Sequence, residues 1–279
     1  MPVESVYHPE PEDQFPARPT VAGRITALPK ETFAALATVA GCASKDETRY
    51  VLNGVLFSPA GGGRLIATDG MCLACAPARV TGQEFILRTA AMHVLAHPDF
   101  LSRDAAVMQP ENPDGAHVQF RSGPHTLIAK TIEGSYPDYR CAIPAHPTET
   151  VTVPDTHKHS AIAWLRSLRG KTMSVKLTWE TPGHMTLTHR DADDTAATIR
   201  VPVAIEGNPP VIAFNPGYLA DALEIGSVIC LTDPLSPALV RNPNGNFCVL
   251  MSMRITVGTA DNITAPRPAA EAPAEARAA

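Results

Sequence analysis

In TMSVKLTWETPGHMTLTHR (172–190), Met173, Val175, Leu177 and Trp179 alternate with Ser174, Lys176 and Thr178. A period of two sends the first set to a core face and the second to the outside. Thr181-Pro182-Gly183 then supplies turn chemistry, and Met185 and Leu187 resume the alternation. The stretch predicts two antiparallel strands with one wet face. The pattern returns at Ile199, Val201, Val203 and Ile205, and again at Phe247, Val249, Met251, Met253 and Ile255. Short helices separate the strand groups. Phe33, Leu36, Val39 and Ala40 form one stripe at helical spacing in LPKETFAALATVA (28–40). A second helix is predicted from about Thr89 to His97, stopped by Pro98, and SAIAWLRSLRG (160–170) gives a third. In FNPGYLADAL (214–223), Asn215 is suited to cap, and Pro216 takes the first helical position, where its missing N–H is no loss. The order of helix, strands, helix, strands occurs twice, changing over near residue 147, without a residue-level repeat. It predicts an α+β chain in two similar halves, each with antiparallel sheets and two short helices.

The 279 residues are 44% hydrophobic and 18% charged, enough for two ordinary domains with cores of their own. Residues 1–26 are Pro-rich without a hydrophobic period and read as a disordered arm, and residues 259–279 read as a disordered Pro/Ala-rich tail. The domains between them are 27–146 and 147–258. A net charge of −5 argues against coating nucleic acid through bulk basicity, while leaving room for a local basic lining. The apolar runs are short of the roughly 20 residues of a membrane helix, and the N-terminus has no secretory pattern. The expectation is a cytoplasmic protein.

Catalytic and metal chemistry find little support. Cys72 and Cys75 form a C-x-x-C without a second pair, and residues three apart on a strand point to opposite faces. GGGR (61–64) lacks the Lys-Ser/Thr of a phosphate loop and reads as a hairpin turn. His93 and His97 lack the Glu of a zinc protease motif, and His157-x-His159 precedes a helix without a third ligand. Asp191, Asp193 and Asp194 read as an acidic turn between strands. No nucleophile–base pair stands out, so neither a cofactor nor an enzyme activity is expected.

Five segments resemble, in order and spacing, the beta sliding clamp family, the beta subunit of bacterial DNA polymerase III. They are TRYVLNGVLF (48–57), ATDGMCLACAP (67–77), IEGSYPDYRCAIP (132–144), FNPGYLADAL (214–223), and LTDPLSPALVRN with VLMSMRI (231–242 and 249–255). The first three resemble the family's middle domain and the rest its last domain. The family's first domain has no counterpart, and the chain runs on beyond Ile255, near where such clamps normally end.

The resemblance implies two working surfaces. One is a lining that faces duplex DNA without reading its sequence, with Arg49, Tyr50, Arg166, Arg169 and Lys171 as candidates; each is also explicable as a solvated surface residue. The other is a cleft between the middle and last domains that takes short apolar motifs from polymerases and other partners. Carried over residue by residue, it comprises Leu52, Thr68, Gly70, Met71, Cys72, Leu73, Pro137, Cys141 and Ala142. Tyr218, Leu235, Pro237, Val249, Met251, Ser252, Met253 and Arg254 complete it. Met side chains suit a cleft that repacks around different Leu and Phe anchors, although Met251 and Met253 also fit the apolar face of a core strand. Met71 and Cys72 replace a usual His-Arg pair, Cys141 an Arg and Ser252 a Pro, which makes the cleft less basic.

The resemblance further implies a processivity factor with clamp-loader and polymerase partners. The family closes six domains into a ring, and two domains per chain reach six as a head-to-tail homotrimer. The rival reading is a non-encircling adaptor or decoy that keeps the cleft and binds polymerase or loader components. A hydrolase or nuclease would need a constellation that the sequence lacks.

Overall fold

The computed structural model describes residues 21, 23–101, 105–110, 117–168, 174–190, 195–255 and 263–264. The first half runs β1 (Gly23–Leu28), α1 (Lys30–Ala40), β2 (Gly54–Ser58), β3 (Arg64–Thr68), β4 (Cys72–Pro77), β5 (Phe85–Arg88), α2 (Thr89–Leu95), α3 (Pro98–Leu101), β6 (Ala105–Pro110), β7 (His117–Ser122) and β8 (His125–Ile132). The second runs β9 (Glu149–Thr152), α4 (Asp155–Ser167), β10 (Val175–Thr178), β11 (His184–Arg190), β12 (Ala196–Pro202), β13 (Ala204–Glu206), β14 (Ile212–Phe214), α5 (Pro216–Ile225), β15 (Val228–Leu231), β16 (Ala238–Arg241) and β17 (Phe247–Leu250). The short strands β18 (Arg254–Ile255) and β19 (Ile263–Thr264) follow.

Each half holds two antiparallel units of at least four strands, which β8–β5 pairing joins in the first half and to which β13 adds a fifth strand beside β9 in the second. In the first they are β1-β6-β7-β8 and β5-β2-β3-β4; in the second, β9-β15-β16-β17 and β14-β10-β11-β12. The halves join edge to edge where β4 pairs antiparallel with β17, from Phe247 opposite Cys75 to Leu250 opposite Cys72. The main core lies on the helix side of the sheets. Phe33, Leu36 and Val39 of α1, Ala161 and Leu165 of α4, and Leu219 and Leu223 of α5 are buried there with the inward residues of the strands. Helical spacing puts those residues on one stripe of each helix.

A second, smaller core covers the opposite sheet face at the joint. Leu56, Ile66, Leu73, Cys75, Ile86, Ile132 and Val249 are buried in it, beneath Tyr136, Tyr139 and Ile143 of the segment that connects the halves. The central strands of the joint are therefore apolar on both faces, and β2 is buried at all five positions.

Several expectations need correction. Residues 23–26, read as part of the disordered arm, belong to β1, which pairs with β6 from Gly23–Pro110 to Leu28–Ala105; a six-residue strand with so distant a partner leaves little local signal. Within the expected tail, Ile263–Thr264 pair with Arg254–Ile255. Helix α4 starts at Asp155 rather than Ser160, so His157 and His159 lie inside it; its first turn, behind Pro154, is polar and carries no apolar stripe. Pro98 opens α3 instead of following the helix as a simple stop, which fits the preference of Pro for a first turn. Phe247 to Ile255 is not one strand: β17 ends at Leu250, and Met253 then bridges to Ala213 beside β14.

Other features match their reading. Asn215 caps α5, accepting from the N–H groups of Gly217 and Tyr218 at 2.9 and 3.3 Å. Val175, Leu177, Met185 and Leu187 are buried while Lys176, Thr186 and Thr188 are half-exposed, but Ser174 and Thr178, expected on the outside, are buried too. The GGGR glycines turn the chain between β2 and β3 with positive φ.

Candidate functional site

The expected cleft is organised around the turn between β3 and β4. Asp69 holds it: one carboxylate oxygen accepts from the N–H groups of Met71 and Cys72 at 2.8 and 2.9 Å. The Thr68 hydroxyl donates to the Cys72 carbonyl at 2.6 Å and accepts from the Gly70 N–H at 3.1 Å. Gly70 sits at φ +88, a left-handed conformation that glycine adopts without a Cβ clash.

Three other parts of the chain converge on this turn. The second carboxylate oxygen of Asp69 accepts from the Tyr218 hydroxyl at 2.6 Å, tying the turn to the first turn of α5 in the other half. Burial and this bond together push the Tyr218 phenol well above its ordinary pKa, so it remains a donor. The Met251 N–H donates to the Met71 carbonyl at 3.0 Å, continuing the β4–β17 pairing past the end of the strands. Arg49 donates to the Asp69 carbonyl at 2.7 Å and pairs with Asp46 at 3.2 Å, while the Tyr136 hydroxyl accepts from the Thr68 N–H at 3.1 Å.

The result is a fixed turn carrying half-exposed Met71 beside half-exposed Met251 and Tyr218. Thr68, Gly70, Met71, Tyr218 and Met251 are thus brought together at the joint. Leu73 and Val249 lie beneath it in the smaller core, at 4% and 2% exposure, and support the surface rather than form it. Cys72 faces the main core beside Cys42 and Cys248; those thiols and burial push its own thiol up, and it acts as an apolar filler. Cys75 faces the smaller core, so the C-x-x-C points to both sides of the sheet. Leu52, Ser252 and Met253 are buried as well.

Pro137, Cys141, Ala142 and Arg254 are exposed, and Pro237 is half-exposed. Leu235 is 65% exposed on a loop where Asp233 accepts from the N–H groups of Leu235 and Ser236, both at 2.8 Å. The Ser236 hydroxyl first, and then those N–H groups, hold the Asp233 carboxyl below its ordinary value. A carboxyl lowered by folding adds stability above its unfolded pKa and loses it as pH falls through the folded one, so this loop weakens in acid. Ser236→Ala is expected to move the Asp233 titration upward in carbon-13 NMR. An unmoved midpoint would remove the hydroxyl as the cause.

Of the candidate lining residues, Arg49 is engaged with the turn, and Tyr50 beside it is 55% exposed. Arg166, in the last turn of α4, pairs with Asp221 and Glu224 of α5 at 3.0 Å each. Arg169 and Lys171 lie outside the described residues, as do Asp191, Asp193 and Asp194. Among the described residues no group of three or more His, Cys, Asp or Glu side chains is placed to hold a metal, and no helix is long and apolar enough to cross a membrane. Asp69 and Tyr136 are the site residues that the sequence did not single out. The Asp-Gly of the turn was the available signal for the first.

Residues 140–255 match the family description of the DNA polymerase III beta subunit, C-terminal domain. A beta sliding clamp of Caulobacter vibrioides is 31% identical over 230 residues, covering 76% of this chain and 60% of that protein. The beta sliding clamp homolog GriR of Streptomyces muensis is 28% identical over 220 residues, covering 76% and 58%. The crystal structure of a sliding clamp from Bartonella birtlesii bound to griselimycin is similar with a TM-score of 0.77 at 27% identity, covering 88% of this chain and 70% of that one. The chain spans about 60% of the length of the first of these curated relatives.

Proposed function

We propose, from its similarity to the beta sliding clamp family, that the chain is a non-catalytic DNA sliding clamp whose joint docks short apolar motifs. Residues 27–146 and 147–258 act as its two clamp domains. Copies of the chain close around duplex DNA, so that enclosure, rather than base contacts, holds the protein on it. Polymerase and clamp-loader subunits dock at the turn held by Asp69. The observation that carries this reading is the β4–β17 joint: a sheet continuous between the halves, with Met71, Met251 and Tyr218 gathered at its end. Flexible apolar side chains on a fixed turn suit anchors of the Leu and Phe type.

Two measurements test it. Light scattering of the purified chain is expected to give a stable species near three times the 29.7 kDa chain mass, the reading in which these two domains are a subunit's contribution to a six-domain ring. That species should stay on nicked circular DNA and leave it on linearisation; loss from both alike would rule out encirclement. Met251→Asp is expected to abolish binding of a Leu/Phe-containing peptide in a fluorescence titration, because it sets a charge into an apolar contact. Met251 is half-exposed, so the fold survives the change, and unchanged affinity in the folded variant would remove the site.

A second reading, the non-encircling adaptor, is favoured by the pairing of Arg166 with both Asp221 and Glu224, which engages that cation within the chain. A monomer at every concentration would select it.

A further inference from the structure

Exposure divides the methionines sharply. Among the described side chains, Met92, Met185 and Met253 are buried, at 8% exposure or less, whereas Met71 and Met251 are half-exposed. The two accessible thioethers are neighbours across the joint. Cys72 lies opposite Leu250, and the Met251 N–H donates to the Met71 carbonyl at 3.0 Å, so the same register sets Met71 opposite Met251. The thiols around them are shielded: Cys42, Cys72 and Cys248 belong to the main core and Cys75 to the smaller one. A small oxidant arriving from water at this turn meets the thioethers first.

The consequence follows from the chemistry of sulfur. Its lone pair attacks one oxygen of hydrogen peroxide, the S–O bond forms as the O–O bond breaks, and the other oxygen keeps both protons and leaves as water. Sulfur gives up two electrons, the peroxide is reduced, and a flexible apolar side chain becomes a polar one. A polar oxygen shut away from water needs a hydrogen-bond donor. The N–H groups and the hydroxyl of the turn are already bonded. Those of Met71 and Cys72 are held by Asp69, that of Gly70 by Thr68, and that of Asp69 by the Cys72 carbonyl, to which the Thr68 hydroxyl also donates. The Tyr218 hydroxyl is taken by Asp69 and the Met251 N–H by Met71. An oxygen on either sulfur therefore enters a dry contact only by displacing one of these bonds or without a partner from the turn.

We propose that Met71 and Met251 form a modification site at which hydrogen peroxide makes sulfoxides, and that this reversibly closes the joint to apolar motifs. The site rests on exposure alone; its effect on docking rests on the docking reading above.

Peroxide treatment of the full chain tests this, with Cys141 changed to Ser because that exposed thiol competes for the oxidant. Digestion and mass spectrometry are expected to place one added oxygen on each of Met71 and Met251 before any on Met92, Met185 or Met253. Affinity for a Leu/Phe-containing peptide is expected to fall at least about tenfold in the fluorescence titration. Methionine sulfoxide reductases for both epimers, with dithiothreitol as reductant, are expected to restore it. The double variant Met71→Leu, Met251→Leu is compared with itself before and after peroxide, and its affinity is expected not to move with the oxidant. Oxygen spread evenly over the buried methionines would overturn the site. Oxygen on Met71 and Met251 with unchanged affinity would overturn the closure and leave docking in place. An equal loss in the Leu variant, or a loss that the reductases do not reverse, would trace the effect to other damage and overturn the closure as well. Untreated protein that binds no peptide overturns the docking reading, and the map of added oxygen then still decides the site.

Discussion

Leu73→Asp is expected to unfold the joint rather than merely empty the cleft. Leu73 is 4% exposed and sits opposite Val249 across the contact between the halves, enclosed by Leu56, Ile66, Ile86 and Ile132. Truncating a buried Leu to Ala costs about 2–5 kcal/mol through lost transfer and cavity formation. Asp adds an unpaired carboxylate, which costs about 3–5 kcal/mol in a buried setting or takes up a proton at neutral pH instead. Together these approach the roughly 5–15 kcal/mol that holds a domain folded. The expected result is insoluble protein, or a urea midpoint far below that of Leu73→Ala. A soluble Leu73→Asp with an unshifted midpoint would mean that the smaller core is open to water. The contrast with Met251→Asp is the useful part. Both positions resemble cleft residues of the family, but one lies in the support and the other at the surface, so only the second change reports on docking.

That difference was not legible in the sequence, and the reason is physical. Period-two alternation tells which residues share a face; it cannot tell whether the other face is wet. The strands at the joint are covered on both sides because the segment with Tyr136, Tyr139 and Ile143 folds back over them, a long-range event. The same limit explains Phe247 to Ile255. Its alternation is unbroken, but the pairing partner changes from β4 to Ala213 after Leu250, and one strand becomes two short pieces. Where local chemistry suffices, the reading was closer. Asn215-Pro216 marks the start of α5, and Gly61 to Gly63 turn the chain as their composition requires. The resemblance supplied Thr68, Gly70, Met71 and Tyr218, yet it passed over Asp69, whose role appears only when a tyrosine 149 residues away reaches its carboxylate. Arg166 shows the converse: its charge is plain in the sequence, and the carboxylates that occupy it come from a helix 55 residues on.

Asp69 is therefore where a large effect on docking is expected from a residue that holds the turn rather than one that meets the peptide. Its carboxylate fixes two N–H groups of the turn and the hydroxyl of Tyr218, three bonds from one side chain. Hydrogen bonds to a charged group contribute about 1.5–3 kcal/mol each when shielded, and less at a half-exposed residue such as this one. Asp69→Ala should lower the stability of the folded chain by roughly 2–3 kcal/mol on that basis. It should also release Met71 and weaken peptide affinity at least about tenfold, the equivalent of roughly 1.4 kcal/mol. Tyr218→Phe removes one of the three bonds and keeps the ring, so its effect is smaller, about 1 kcal/mol. In the double variant the Tyr218 change should add little, because its partner is already gone. That non-additivity separates a shared bond from two independent contributions. Additive losses would mean that the 2.6 Å contact contributes nothing between the halves, and that the turn is held by Thr68 and the Met251–Met71 bond instead.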